Sequence, residues 1–374
     1  MTTRLALEPA PPHSSPEHFL INDVVEEPLE QAHVLDRPPA HHRKLLDHGE
    51  RPYWTRDGKR LAFIASNYGD AAELDLETGV VRPLTEGLGE HHSFLRVLVL
   101  SNDDYLLIGP AEFKDRDVSR HVESELWVLP ADLSTPPKPL GRRVFEGCGV
   151  STSTPRITYA VSGRNDPSIG DPDVFECHVT DIEYGPDGPR LGRDEVFYRT
   201  RGTAPEPQDF RHSDTEVIFA EYHPGVSIEA ATEPLCTVRG YDLTTGEFRT
   251  YVEEAGVHNE CEGVFPDGAA TCLESACDAE GYPPRNLWKL KLDGSQQRAR
   301  MTAIPPESGW KATNSNVSPD GRWLAYMVAH KDDEAGSGRG LGLLDLDAWA
   351  ADGVEWETPT SRRLDGLPFY PYPG

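Results

Sequence analysis

Short runs of histidine, amide and carboxylate side chains stand directly before apolar segments of this 374-residue chain. Such groups hold divalent metals such as Mn²⁺, Zn²⁺ or Ca²⁺, and they also hydrogen-bond small polar molecules. The runs contain His91, His92, Gln208, Asp209, His258, Asn259, Glu260, Glu262, Lys311, Asn314 and Asn316. A second set follows apolar segments and includes Asn67, Asp278, His223 and His330. No close spacing among them is a metal-binding motif, so the fold must bring them together.

One unit recurs along the chain. It consists of an apolar strand, a tight polar turn that often reads Asp-Gly, a second apolar strand, a polar loop and a third strand such as NLWKLKLDG. Asp-Gly supplies the positive φ angles that a two-residue hairpin turn needs. Runs rich in Val, Ile, Phe, Tyr and Trp are typical of strands buried on both faces. The six copies start near residues 53, 94, 150, 208, 262 and 316.

These starts predict an all-β fold, a six-bladed β-propeller of four-stranded antiparallel blades over residues 50–360. A β-sandwich is the rival fold, but it requires no repeat. Residues 1–16 are expected to be a flexible tail and residues 361–374 a C-terminal tail. Residues 17–49 contain two strand candidates, HFLINDVV and HVLD. One of them would close the ring by completing the last blade, and a seventh blade is the alternative.

Two of the repeats resemble a known family. SPDGRWLAYM and WTRDGKRLAFI look like the PD40 repeats of TolB-like propellers and of the propeller beside prolyl-oligopeptidase catalytic domains. The resemblance implies the fold but little about function, since such repeats occur in binding proteins, enzymes and regulatory domains. The sequence has no G-x-S-x-G nucleophile motif, so a peptidase of that kind is excluded.

A weaker resemblance is to oligogalacturonate-lyase-type propellers, in which His and Gln side chains around the channel hold a divalent metal. Gln208-Asp209-Phe210 and the later Tyr222-His223-Pro224-Gly225 are similar to their Gln-Phe and His-x-Gly pattern. Two departures are plain, because Asp209 separates Gln from Phe and Pro224 replaces an acidic residue. The tentative metal ligands are His91, His223, His258 and His330.

Propeller geometry predicts where these side chains meet. The first strand of each blade lines the central channel, and its start lies on the same face as the loop that follows the second strand. Both sets of polar residues should therefore converge on one rim of the channel. The simpler alternatives are that the histidines are solvated loop residues, that the HNECEG run satisfies backbone groups between blades, and that Asn314 and Asn316 hold channel water.

The composition limits the partners and the compartment. Asp and Glu number 63 against 36 Lys and Arg, which gives a net charge of −27. This charge disfavours nucleic acid and anionic membrane surfaces. No apolar run approaches the ~18 residues of a membrane span. The six cysteines form no CxxC pair and the first residues lack a signal-peptide apolar stretch, so a cytoplasmic protein with reduced thiols is expected.

Two function classes follow. The first is a stand-alone propeller that binds a small polar ligand, sugar or peptide at the rim of its channel. The second is a metal-assisted lyase or hydrolase built on the propeller, with His, Gln and carboxylate ligands at the channel mouth. A protein-interaction platform is a third reading, since a rim also suits a protein partner.

The net charge of −27 generates a first prediction. The protein should pass through a heparin or DNA column at physiological salt, because like charges repel and no basic stretch offsets them. Column retention is the measurement. Retention that weakens with added salt would contradict the absence of a nucleic-acid partner.

Overall fold

The computed structural model describes residues 33–224, 234–278, 286–305, 308–334 and 336–359. In these residues the chain forms six antiparallel sheets, each the blade of a propeller. The first strand, β1 (His42–Leu46), belongs to the last blade. The tails predicted at residues 1–16 and 361–374, and the strand candidate HFLINDVV, lie outside the described residues.

The first three blades follow β1 in chain order. Blade 1 consists of β2 (Glu50–Trp54), β3 (Arg60–Ile64), β4 (Ala71–Asp75) and β5 (Val81–Pro83). Blade 2 consists of β6 (Arg96–Val99), β7 (Tyr105–Gly109), β8 (Glu125–Leu129) and β9 (Lys138–Arg143), with helix α1 (Arg116–His121) between β7 and β8. Blade 3 consists of β10 (Cys148–Val150), β11 (Arg156–Ser162), β12 (Val174–Gly185), whose far end pairs with β13 (Gly188–Leu191), and β14 (Glu195–Arg201).

The last three blades complete the ring. Blade 4 consists of β15 (Ala204–Arg211), β16 (Glu216–Tyr222), β17 (Cys236–Asp242) and β18 (Phe248–Val252). Blade 5 consists of β19 (Asn259–Val264), β20 (Ala270–Ser275), β21 (Asn286–Lys291) and β22 (Arg298–Arg300). Blade 6 consists of β23 (Trp310–Val317), β24 (Trp323–His330), β25 (Leu341–Asp345) and β1, and helix α2 (Leu346–Ala351) follows β25.

The second strand of each blade has apolar residues on both faces. All five residues of β7 and all seven of β16 are buried, because neighbouring blades cover both sides of these sheets. The Asp-Gly turns lie at the hairpins between first and second strands. Gly58 and Gly321 have φ angles of +66° and +76°, which glycine adopts without steric cost. The repeat and its turn chemistry are therefore confirmed as the basis of the blades.

The ring closes through the N-terminal strand. Strand β1 pairs antiparallel with β25, placing His42 opposite Leu344, and the His42 ring hydrogen-bonds the Tyr326 hydroxyl at 2.8 Å. The strand candidate HVLD is instead a 3-10 turn over Val34–Asp36, capped by the His33 side chain. Two prolines, Pro38 and Pro39, follow this turn and have no N–H to donate to a sheet.

The prediction of six blades is confirmed, and no sheet in the described residues forms a seventh. The six inner strands, β2, β6, β10, β15, β19 and β23, surround one axis. Neither helix in the described ranges is long and apolar enough to cross a membrane.

Candidate functional site

A small cavity lies on the propeller axis. Its volume is about 40 Å³, it is partly open, and every one of the six inner strands contributes to its lining. The lining side chains that can donate or accept hydrogen bonds are those of Arg51, Tyr53, Arg96, Gln208, Asp209, Glu262, Asn314, Ser315 and Asn316. This volume accommodates about three water molecules or one carboxylate group. The channel is therefore a polar site rather than a packed apolar core.

Several of these side chains lie where the inner strands are irregular. The pairing register shifts in four of the six inner strands, β2, β15, β19 and β23. Arg51 and Asn314 lie within two of these irregularities and have positive φ angles of 50° and 45°. A non-glycine residue in this conformation carries strain of about 1–3 kcal/mol, and such strain concentrates at functional sites.

The register shift in β15 explains a feature of the sequence. It lies between Pro207 and Asp209, so the strand accommodates one extra residue as a bulge, with Gln208 unpaired and Asp209 opposite Ile218. The Asp209 carboxylate accepts hydrogen bonds from the Val264 N–H at 2.8 Å and from its own neighbour Phe210 N–H at 2.7 Å. Burial nevertheless raises the pKa of Asp209 to about 7. Asp209 thus couples blade 4 to blade 5 beside the cavity.

The cationic side of the channel is formed by blades 1 and 2. Arg51 Nη2 lies 2.9 Å from Glu146 Oε1, and Arg120 of helix α1 binds the second oxygen of the same carboxylate. Arg96 of β6 donates to Gln208 Oε1 at 3.2 Å. Although burial opposes ionisation of Glu146, the guanidinium groups of Arg120, Arg51 and Arg96 hold its pKa far below its ordinary value. Glu146 is therefore a buried carboxylate clasped by two arginines.

The acidic side of the channel is formed by blades 4 and 5. Carboxylate oxygens of Glu260, Glu262 and Glu274 lie within 4.8 Å of one another. Asn314 binds two of these groups, since its Nδ2 donates to Glu262 at 3.0 Å and its backbone N–H donates to Glu274 at 2.5 Å. Glu206, which is also buried, is a fourth carboxyl group on this side. Gly147 (φ +91°) packs against Glu206, and a Cβ atom at this glycine would lie only 2.7 Å from the Glu206 Cβ.

The pKa values of these carboxyl groups are shifted in two directions. Burial raises the pKa values of Glu206 and Glu262 well above the ordinary range, and neighbouring carboxylates add to the effect. The pKa of Glu274 is raised for the same reasons. Glu260 differs: burial opposes its ionisation, but the His258 ring, 3.1 Å away, lowers its pKa. The surroundings therefore favour ionisation at Glu260 and disfavour it at the other three groups.

Several buried polar atoms at the cavity have no partner among the described residues. They are the donor atoms Arg51 Nε and Nη1, Arg96 Nε and Gln208 Nε2, together with the Ser315 hydroxyl, which can both donate and accept. Gln208 is only 7% exposed. Leaving a buried donor unsatisfied costs about 1–3 kcal/mol. An acceptor placed in the cavity would relieve this cost.

The mouth of the channel carries an aromatic pair. The rings of Tyr68 and Phe113 lie 4.7 Å apart, and Phe113 is 45% exposed. Burial raises the pKa of Tyr68 to about 12, and charges of Arg120, Glu146 and Arg51 also act on its hydroxyl. The hydroxyl has no partner within the described part of the chain. It is a neutral donor beside the arginine side of the channel.

Several residues predicted from the sequence lie in or beside the channel. Gln208, Asp209, Glu262, Asn314 and Asn316 line the cavity, and Glu260 and His258 form the pair described above. Asn316 also links blade 6 to blade 1. Its side chain accepts a hydrogen bond from the Trp54 backbone N–H at 3.2 Å, and its carbonyl accepts one from the Trp54 indole N–H at 2.9 Å.

Other predicted residues have different surroundings. Asn259 is fully buried and accepts from the Ser275 hydroxyl at 2.6 Å. Lys311 is half-buried and does not line the cavity. His91 hydrogen-bonds the Pro110 carbonyl at 2.6 Å between the rings of Phe94 and Trp127.

His92 binds Asp70 at 2.7 Å, and this contact raises the pKa of His92. The two adjacent histidines are therefore bonded in the loop between β5 and β6.

The four tentative metal-ligating histidines are not brought together. His223 Nε2 lies 3.2 Å from the Thr237 hydroxyl, and His330 Nδ1 lies 3.2 Å from Asp332. Both follow or end second strands, one strand away from the axis, whereas His91 is held in a loop. Among the described residues, the group that brings three metal-ligating side chains together is Glu260, Glu262 and Glu274.

The sequence reasoning missed the arginine side of the site. Arg51, Arg96, Arg120, Glu146 and Glu206 were not among the predicted site residues. A signal existed for two of them, because Arg96 interrupts the apolar run FLRVLVL and Glu206 stands between two prolines in an inner strand. A lone charge inside an apolar strand requires a partner across the channel.

Comparison with known proteins supports the fold. No known family model matches the chain, and no curated protein matches its sequence. Among solved structures, a gluconolactonase from Xanthomonas campestris is 14% identical with a TM-score of 0.52, over 83% of this chain and 91% of that one. The propeller fold is confirmed.

Two further structures match the families that the repeats resemble. An oligogalacturonate lyase in complex with manganese is 15% identical (TM-score 0.47, 84% of this chain and 95% of that one). TolB from Acinetobacter baumannii is 14% identical (TM-score 0.44, 79% of this chain and 66% of that one). The likeness to both kinds of propeller is one of fold.

The clasp around Glu146 generates a stability prediction. The substitution Glu146→Gln should lower the free energy of unfolding by about 3–5 kcal/mol, because it leaves two buried guanidinium groups without their counter-ion. Urea denaturation measures this loss. Glu77→Gln, at an exposed position, is the matched control and should change stability by less than about 0.5 kcal/mol. Equal stabilities of the two variants would show that the clasp contributes nothing.

Proposed function

We propose that this protein is a stand-alone propeller that binds a small polar ligand at the mouth of its central channel, with an anionic group of the ligand held by Arg51 and Arg96. The observation that supports this most directly is the set of unpartnered, buried donors of Arg51, Arg96 and Gln208 around one cavity. A carboxylate is the acceptor that would satisfy several of them at once.

The charge balance of the channel favours an anionic group. Arg51, Arg96 and Arg120 are positive, whereas only Glu146 and Glu260 have lowered pKa values. Burial raises the pKa of Glu50, a further channel-side carboxyl group, to about 7. The positive charges are thus concentrated at blades 1 and 2, whereas burial disfavours ionisation of the carboxyl groups that face them. This concentration of positive charge favours an anion at the arginine side of the channel.

The acidic side suits the rest of the ligand. The raised pKa values of Glu206 and Glu262 favour their protonated forms, which both donate and accept hydrogen bonds and therefore match hydroxyl groups. A cavity of about 40 Å³ holds only the anionic group, so the remainder of the ligand would lie above it beside Tyr68 and Phe113. A hydroxy acid or an acidic sugar fits this division.

Three sugars of similar size and different charge test the proposal. Isothermal titration calorimetry with D-glucuronate, D-glucose and D-glucosamine should give the tightest binding for the anion, about tenfold or more over the neutral sugar. Affinity for the anion should fall as the pH rises from 6 to 8, because Glu50, with a pKa of about 7, becomes negative. Equal affinities, or a preference for D-glucosamine, would contradict the proposal.

Two variants locate the binding. Gln208→Met removes an unpartnered donor and should weaken anion binding. Arg96→Met removes a guanidinium group and should weaken anion binding by about ten- to a hundredfold. Arg193→Met is the matched control, since its side chain is largely exposed. The thermal melting curve of each variant establishes that it is folded.

A divalent cation is a second candidate ligand. Glu260, Glu262 and Glu274 offer three carboxylate oxygens within 4.8 Å, and the amide of Gln208 lines the cavity beside Glu262. An all-oxygen set suits Ca²⁺ or Mn²⁺ better than Zn²⁺. A bound cation would compete with the protons that burial favours on Glu262 and Glu274. It would also supply the Lewis acid for the alternative of a metal-assisted lyase or hydrolase.

Calcium and manganese titrations test this candidate. Either ion should raise the melting temperature, and the rise should be larger at pH 8 than at pH 6, because the raised pKa values of Glu262 and Glu274 make protons compete with the metal. Glu262→Gln should abolish the effect, whereas Glu77→Gln should retain it. A rise that does not depend on pH or on Glu262 would rule out this site.

A cytoplasmic location is part of the proposal. All six cysteines are buried thiols rather than disulfides, which suits a reducing compartment. The net charge of −27 supports a small molecule rather than nucleic acid or a membrane surface as the partner.

A further inference from the structure

A second, larger cavity lies away from the channel. Its volume is about 520 Å³, and it lies between the outer part of blade 5 and the segment that follows helix α2. Three tryptophans line it: Trp288 of β21, Trp349 of α2 and Trp356. Among the residues that the structure describes, Trp356 is one of six large apolar side chains that are at least 36% exposed. The volume lies in the range of sites that hold small molecules.

Backbone and side-chain bonds hold the outer wall in place. Glu357 and Arg298 exchange two backbone hydrogen bonds of 2.9 and 2.8 Å, which add the segment to the edge of blade 5. Arg298 Nε also lies 3.0 Å from Glu357 Oε1, and its Nη1 lies 2.8 Å from Glu254. The Trp349 indole N–H donates to the Arg300 carbonyl at 3.1 Å. These bonds fix the position of the segment that forms the outer wall of the cavity.

One polar atom of a lining side chain has no protein partner in the described part of the chain. The indole N–H of Trp288 is buried and has no partner among the described residues, and the side chain as a whole is only 4% exposed. Buried tryptophans normally satisfy this donor. An acceptor inside the cavity would do so here.

Charged groups of both signs surround the cavity. Asp278, Glu355 and Glu357 contribute carboxylates, and Arg300 contributes a guanidinium group. Two further cations lie on the tryptophan rings, Lys291 at 4.3 Å from the Trp356 centroid and Arg298 at 5.6 Å from that of Trp288. Arg298 is already paired with Glu357 and with Glu254, so its charge is not free to hold an anion. The groups around the cavity offer both hydrogen-bond donors and hydrogen-bond acceptors, which suits a ligand rich in hydroxyl groups.

We propose that this tryptophan-lined cavity binds a neutral saccharide. The flat C–H faces of a sugar ring match indole faces, and its hydroxyl groups can accept from the Trp288 N–H and donate to the carboxylates of Asp278 and Glu355. The cavity is large enough for one or two sugar rings. The site is independent of the channel site, because it shares no lining residue with the axial cavity.

Maltose, cellobiose and D-glucose are the probes for this site, with saturation-transfer NMR on the full chain as the measurement. At least one of them should bind, and Trp356→Ala should weaken its binding about tenfold by removing a stacking surface. Trp323→Ala is the matched control, since Trp323 is a partly exposed tryptophan of blade 6 outside the cavity. The control should bind like the unmodified protein.

A second variant tests the indole donor. Trp288→Phe removes the indole N–H and keeps an aromatic ring, so it should weaken sugar binding, whereas Arg193→Met, at an exposed position outside both cavities, should not. The proposal is overturned if none of the three sugars binds, or if binding is unchanged in both Trp356→Ala and Trp288→Phe. Tighter binding of tetramethylammonium than of any sugar would also overturn it, because the cavity would then be an aromatic site for cations.

Discussion

The carboxylate of Glu146 is buried between two guanidinium groups that come from different parts of the ring. Arg51 enters from the inner strand of blade 1 and Arg120 from the helix of blade 2, whereas Glu146 stands just before the inner strand of blade 3. Neither charge sign could be buried here alone, because an isolated ion loses its hydration. The clasp ties three blades together and fixes positive charge on one side of the axis.

The polarity of the channel follows from this arrangement. The arginines lie on blades 1 and 2. The carboxyl groups of blades 4 and 5 face the arginines across the axis and outnumber them. Burial and mutual repulsion then raise the pKa values of Glu206, Glu262 and Glu274. The result is a channel with a cationic wall and a facing wall of carboxyl groups whose ionisation is disfavoured. Such a channel is suited to ligands that carry both an anionic group and hydroxyl groups.

The edges of the ring show how the fold uses its flanking segments. Strand β1 forms the outer edge of blade 6, and Glu357 pairs with the outer edge of blade 5. Both additions cover backbone groups that an open sheet edge would expose. In covering the edge of blade 5, the segment after α2 also encloses the tryptophan-lined cavity. Edge protection and a second binding surface thus come from the same stretch of chain.

The sequence by itself determined the blades. Their strands and turns depend on local chemistry, namely apolar runs of five to eight residues and Asp-Gly pairs, and this pattern recurs whatever the rest of the chain does. It also placed Gln208, Asp209, Glu262, Asn314 and Asn316 at the channel, because a residue's position in the repeat indicates whether it belongs to an inner strand.

Only the tertiary structure decided which charges meet. The partners that make a site of the charged residues lie on other blades, as they do for Arg51, Arg96, Glu146 and Glu206. Register matters as well, because a shift by one residue turns a side chain to the opposite face of the strand. The same limit applies to the histidines, whose local partners, such as Pro110 and Asp70, come from loops that the repeat does not position. A repeat specifies the ring of strands, whereas long-range packing specifies the electrostatics at its axis.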